Sequence, residues 1–333
     1  MRIRSLLLIF SAVLTAGPGL AQAPRKVSAA VPRTPEGHPD LQGIWTNVTL
    51  TPMERPPQYS SLEISEAEAL AYEKKEKARS IDGPDLNNSL LQSAGSAGTG
   101  AYNDLFIDRG NQYARMNGKV RTSLVADPPD GKIPAQTAGA RERTAALFRA
   151  AGGGGMGRFD SVKDRPNSER CLIGFGSTSG PPMMPVLYNN TYQIVQTADA
   201  VMILVEMVHD ARVIRLNSTH PPAHVRLWNG DSTGRWEGDT LVVETTNFHP
   251  MIRFRGSSEN LRVTERFQRT DANTIAYRAT IDDPTTFTRN WSVEFPFLAT
   301  SGPVYEYACH EGNYAMPDIL GGARRLETEG PKK

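Results

Sequence analysis

Two cysteines and six histidines are all this chain of 333 residues has of two side chains that commonly hold metals or react near neutral pH. It also lacks the short motifs that announce a chemistry. There is no HExxH and no SxxK. The glycine run GGGGMG at 152–157 has no lysine of a phosphate loop, and Pro181-Pro182 follows GFGSTSG (174–180) where a dinucleotide fold would start a helix. Charge of one sign is missing too. Lys and Arg number 37 against 36 Asp and Glu, which argues against a nucleic-acid or anionic-membrane partner, since either would call for a basic excess. After the first 20 residues no apolar run approaches the roughly 18–20 needed to span a bilayer, so no membrane anchor is expected.

What is present starts with a compartment signal. MRIR is basic, SLLLIFSAVLTAG is apolar but too short to span, and PGLAQA supplies small residues for cleavage. A leader over 1–21 and a periplasmic or secreted mature protein are the expectation. In that setting Cys171 and Cys309 are best read as a disulfide closing a long loop, with a free, nucleophilic Cys309 as the competing reading.

Composition divides the rest. Residues 22–60 are proline-rich and extended, with Ile44-Trp45 docking on the body. Residues 61–170 read as helices and loops. One helix follows an N-cap at Ser65, with acids early and Lys74, Lys75, Lys77 and Arg79 late; the other lies in QTAGARERTAALFRAA. From 171 to 333 the texture is β. NTYQIVQT, AVMILVEMVH, RVIRL, GRWEG, DTLVVETTNF, NLRVTERFQR, NTIAYRATI, FTRNWSVEFPF and PVYEYAC are short strands, several alternating cleanly, with turn signals between. Many strands with short connections predict a mainly β fold. We expect an antiparallel meander closing into a lipocalin-like barrel able to hold a small ligand, with a two-sheet sandwich as the alternative.

Three places carry candidate chemistry. In VEMVHDAR, Glu206 lies in an apolar strand with His209 at its end and Arg212 at the next start; a charge there needs a partner or a cavity. His220, Arg226 and Trp228 belong to a turn-rich loop whose aromatics, arginines and carboxylates suit a sugar or an oxygenated ring, or merely knit the loop. In VYEYACHEGNY, a strand would place Tyr305, Tyr307 and Cys309 on one face and His310 on the other, so Cys309 and His310 point apart. That leaves His310 and Glu311 to line a strand end. The expected catalytic set is His310, His209, Glu206 and Glu311. The expected substrate-binding set is Arg212, His220, Arg226, Trp228 and Tyr307, with Arg212 or Arg226 holding developing negative charge. No cofactor is predicted, although His209, His220 and His310 could converge on a divalent metal.

The stretches PRTPEGHPDLQGIWTN, LWNGDSTGRWEGDTLVVETTNF and YEYACHEGNYAMPDILGGAR resemble a family of exported bacterial proteins marked by GDSxGxWEGDTLVVxTTNF and YEYACHEGNY. The resemblance implies export and a shared set at His209, His220, Glu237, Asp239, Cys309, His310 and Glu311. It carries no activity. The functional expectation is an exported acid/base enzyme of lyase, isomerase or hydrolase type acting on a small oxygenated molecule. A lipocalin-like small-molecule binder and an envelope assembly protein are the competing readings.

Overall fold

The computed structural model describes residues 31–82, 108, 110–150, 158–174, 180–186, 188–252 and 254–330. The predicted leader and the glycine run at 152–157 lie outside the described residues. Among them no helix is long and apolar enough to cross a membrane.

The body is a closed barrel of nine strands. In spatial order these are β1 (Gly43–Thr46), β6 (Thr191–Gln196), β7 (Ala200–Val205), β8 (Ala211–Leu216), β9 (Asp231–Glu237), β10 (Thr240–Thr246), β11 (Arg262–Asp271), β12 (Thr274–Asp282) and β13 (Trp291–Ala299), which pairs back onto β1. A short β5 (Val125–Asp127) adds to the start of β13 on the edge that β1 uses at its end. A separate small sheet joins β2 (Glu63–Ile64), β4 (Lys119–Arg121) and β3 (Arg115–Met116). Three α-helices lie among the described residues: α1 (Glu66–Asp82), α2 (Ala138–Ala150) and α3 (Ala315–Glu329). A capping box starts α1, with Glu68 N–H donating to Ser65 Oγ and Ser65 N–H to Glu68 Oε2.

The mainly β, lipocalin-like barrel is present, with three departures in its construction. The barrel is not a pure meander, because β8 and β9 run parallel. The loop 217–230 between them is long enough for the crossover that parallel neighbours need. It returns onto the wall so closely that a Cβ on Gly230 (φ +69°) would lie 2.7 Å from Thr246 O, so glycine is required there. The barrel also reaches outside 171–333: GIWT, from the proline-rich segment, supplies the closing strand, and Trp45 is buried. Finally, PVYEYAC is not a strand. Residues 301–308 run without regular structure, because the free edge of β13 is already taken by β1 and β5.

Alternation sends Leu261, Val263, Phe267, Ile275, Tyr277, Ala279 and Ile281 inward, all buried. Two charges share that parity, Glu265 on β11 and Arg212 on β8, and they meet inside the barrel as a bidentate pair. Arg212 also donates to Ser232 Oγ (3.1 Å) and Thr245 Oγ1 (3.0 Å), and the Tyr277 hydroxyl donates to Glu265 Oε1 (2.9 Å). Tyr277 in turn accepts from Met183 N–H (3.1 Å). Burial, and then the Glu265 charge, hold the Tyr277 phenol far above its ordinary pKa, so it stays a neutral donor. Every charged atom of the pair has a partner, as a dry interior demands. Breaking it with Arg212→Ala should cost about 3–5 kcal/mol in urea unfolding, whereas the double change Arg212→Met with Glu265→Leu should cost far less. Equal losses in the two proteins would show that the pair is not the origin of the effect.

Candidate functional site

The centre of the barrel is filled by side chains, and a concave surface lies at the mouth where β6 begins and β7 ends. There β7 stops at Val205, and residues 206–210 turn the chain into β8, held by Glu206 N–H to Thr191 O (3.0 Å) and Val205 N–H to Asp210 O (2.8 Å). The turn forces two consecutive non-glycine residues into the left-handed region, Val208 (φ 59°) and His209 (φ 48°). For a β-branched residue this is a true outlier, costing on the order of 1–3 kcal/mol. Asn189 (φ 54°) and Cys171 (φ 53°) adopt the same conformation beside it. Such strain persists where surroundings over-determine the backbone, which is characteristic of working sites.

The surroundings here are a strap, residues 300–314, that crosses the mouth after β13. It is tied to the body by Thr300 N–H to Ile44 O (3.0 Å) and by Tyr305 N–H to Glu206 Oε1 (3.3 Å). His209 Nδ1 lies 2.9 Å from Tyr307 O, and the Cys171–Cys309 disulfide forms the covalent tie. Because a carbonyl can only accept, the His209 bond places the proton of the neutral ring on Nδ1 and leaves Nε2 as the basic nitrogen. Beyond the strap, α3 has no buried residue and is held through Arg324 to Phe159 O and Asp160 O.

Between strap and barrel is a cavity of about 440 Å³ walled by Asn189, Asn190, Thr191, Glu206, Tyr305 and Tyr307. Glu206 is 3% exposed, a carboxylate set into the wall of a cleft. Burial pushes the neighbouring Tyr192 phenol well above its ordinary pKa; a bond from Asn47 pulls it back, and the Glu206 charge adds to the rise. Asn190 is committed to Val186 through both ends of its amide, so it shapes the cleft.

The structure thus brings together Glu206, His209, Tyr307, Cys171 and Cys309 from the expected residues. The others lie elsewhere. Arg212 belongs to the barrel interior. His220 sits on the outer wall, its Nδ1 2.6 Å from Asp231 Oδ2, which Arg215 also binds, and its Nε2 3.2 Å from Thr233 Oγ1 and 3.5 Å from Glu244. The order Thr233–His220–Asp231 copies a nucleophile, base and carboxylate, but Glu244, itself bound by Arg262, also faces Nε2, and the cluster ties the loop 217–230 to the wall. Arg226 donates to Phe248 O and Glu259 O, and the Trp228 ring lies tilted against His249 with centroids 4.1 Å apart, both securing the same loop. Neither Arg212 nor Arg226 lines the cleft. His310 and Glu311 are exposed on the turn before α3 rather than at a strand end, because no strand forms there. His209, His220 and His310 do not converge: among the described residues no group of three or more His, Cys, Asp or Glu is placed to hold a metal.

Sequence reasoning passed over Asn189 and placed Tyr305 on a strand rather than in the cleft wall. Asn in a YNNT turn was the available signal, since asparagine tolerates the left-handed region. No protein-family model, curated protein or solved structure matches the chain. The site therefore has to be read from its own chemistry.

The disulfide closes a loop with a sequence separation of 138 and ties the strap to Cys171. Replacing both cysteines by serine should lower stability by about 4–5 kcal/mol in the chain-entropy model. It should also open new protease cleavage between residues 300 and 314, mapped by mass spectrometry. An unchanged digestion pattern would contradict the role given to the strap.

Proposed function

We propose that the protein is an exported enzyme that acts on a small oxygenated organic molecule by proton transfer, with Glu206 as the general base. The observation that carries this reading is a buried carboxylate in a cleft wall, beside two strained non-glycine residues and a histidine clamped by the strap. A base must sit within reach of its proton and away from competing counter-charges. Glu206 lines the cleft and accepts from the Tyr305 backbone amide, while Glu265 is locked in the barrel by Arg212. Proton abstraction next to an oxygenated carbon suits a lyase, isomerase or hydrolase step, with the Tyr305 hydroxyl available to a substrate oxygen. His209 is a positioning residue, holding Tyr307 and the strap over the cleft. Export rests on the predicted leader and on the resemblance to exported proteins.

A lipocalin-like binder without turnover is the competing reading. It would place its ligand inside the barrel, where Arg212, Glu265, Tyr277 and Met183 already occupy the space.

The test is a turnover screen of hydroxylated small molecules with the mature protein and Glu206→Gln. The amide keeps an acceptor for Tyr305 N–H, so folding should be unaffected. In Glu206→Gln kcat should fall by about 10²–10⁴-fold with substrate Kd nearly unchanged. Full turnover in Glu206→Gln would sink the assignment.

A further inference from the structure

The Glu206 cleft does not end at Tyr307. On the far side of Asn189 and Tyr307, which wall both spaces, lies a second cavity of about 470 Å³ lined by Ser168, Glu169, Glu306, Cys309 and Asn313. Each space falls in the range of a small-ligand pocket, about 300–1,000 Å³. Their chemistry is alike. Among the described residues no arginine or lysine lines either space. Both instead offer carboxylates and hydroxyls, with Asn189 and Tyr307 at their junction, the set that binds a neutral ring bearing many hydroxyls.

The second space exists because of the strap. Cys309 is part of its wall, and Asn313 is fixed there by its amide donating to Cys309 O at 2.9 Å. Glu169 is held by Arg165 on the opposite side, so its carboxylate is placed and charge-balanced.

Resting on the reading of Glu206 as the reacting group, we infer that the two cavities are adjoining subsites for a neutral substrate of two linked hydroxyl-rich rings, a disaccharide or a glycoside of that size. One ring lies against Glu206 and Tyr305. The other lies between Ser168 and the disulfide-held strap, with the linkage passing Asn189 and Tyr307.

The test is calorimetric titration of the mature protein with matched sugars: glucose, galactose and xylose against cellobiose, maltose, lactose and xylobiose. At least one disaccharide should bind about tenfold or more tightly than either of its component sugars. Ser168→Trp, which fills the second space, should erase that advantage and leave monosaccharide affinity unchanged. Glu306→Ala, an exposed change with no effect on packing, should reduce the advantage in the same sense. Equal affinity for one ring and two would overturn the two-subsite inference while leaving the Glu206 reading intact. Failure of every sugar to bind overturns the inference. The Glu206 reading falls as well only if Glu206→Gln leaves turnover unchanged in the separate screen.

Discussion

Closure by four residues decides most of this architecture. Gly43–Thr46 lies between β6 and β13 and converts an eight-stranded sheet with two open edges into a barrel. Trp45 anchors it from within, its indole N–H donating to Leu41 O at 3.0 Å, while Arg269 packs on its ring. Once the sheet is closed, every inward residue of nine strands faces a shared interior. That interior is narrow enough for Arg212, on β8, to reach Glu265, on β11. The polar centre therefore follows from closure.

A filled centre has a functional consequence. A barrel that spends its interior on packing and on a saturated ion pair has to place recognition at its rim, where loops can vary without disturbing the ladder. Here the rim is shaped by the 206–210 turn, the YNN turn before β6 and the strap after β13. The strap packs on the core through Tyr307, and α3 beyond it has no buried residue. Its position comes from a disulfide and a handful of hydrogen bonds, two of which end on Glu206 and His209. The same contacts hold the strap and set the chemistry of the cleft.

The sequence made eight of the nine barrel strands readable, because inward and outward residues alternate along them and turn residues separate them. Glu265 was passed over, although it sits on the apolar parity of Val263 and Phe267, where a charge requires a partner. Glu206 was readable as a carboxylate in an apolar run. The closing strand was not, because GIWT is too short to alternate and is surrounded by prolines and turn residues. The parallel β8–β9 pair was hidden because strand direction depends on the path of the loop 217–230. YEYAC misled for a related reason: its residues favour strands, but β propensity cannot form a ladder when the neighbouring edge is occupied. Of the histidines in VEMVH and ACHEG, His310 read as the better catalytic candidate. The fold separates them by giving one a partner on the strap and leaving the other on an exposed turn.

The most direct test of the central claim is a crystal structure of the mature protein soaked with whichever sugar of the titrated set it binds most tightly. The account predicts ring density against Glu206 and Tyr305, continuing past Tyr307 toward Ser168. Density anywhere else would contradict it, whether inside the barrel or in the cavity between α2 and residues 256–260.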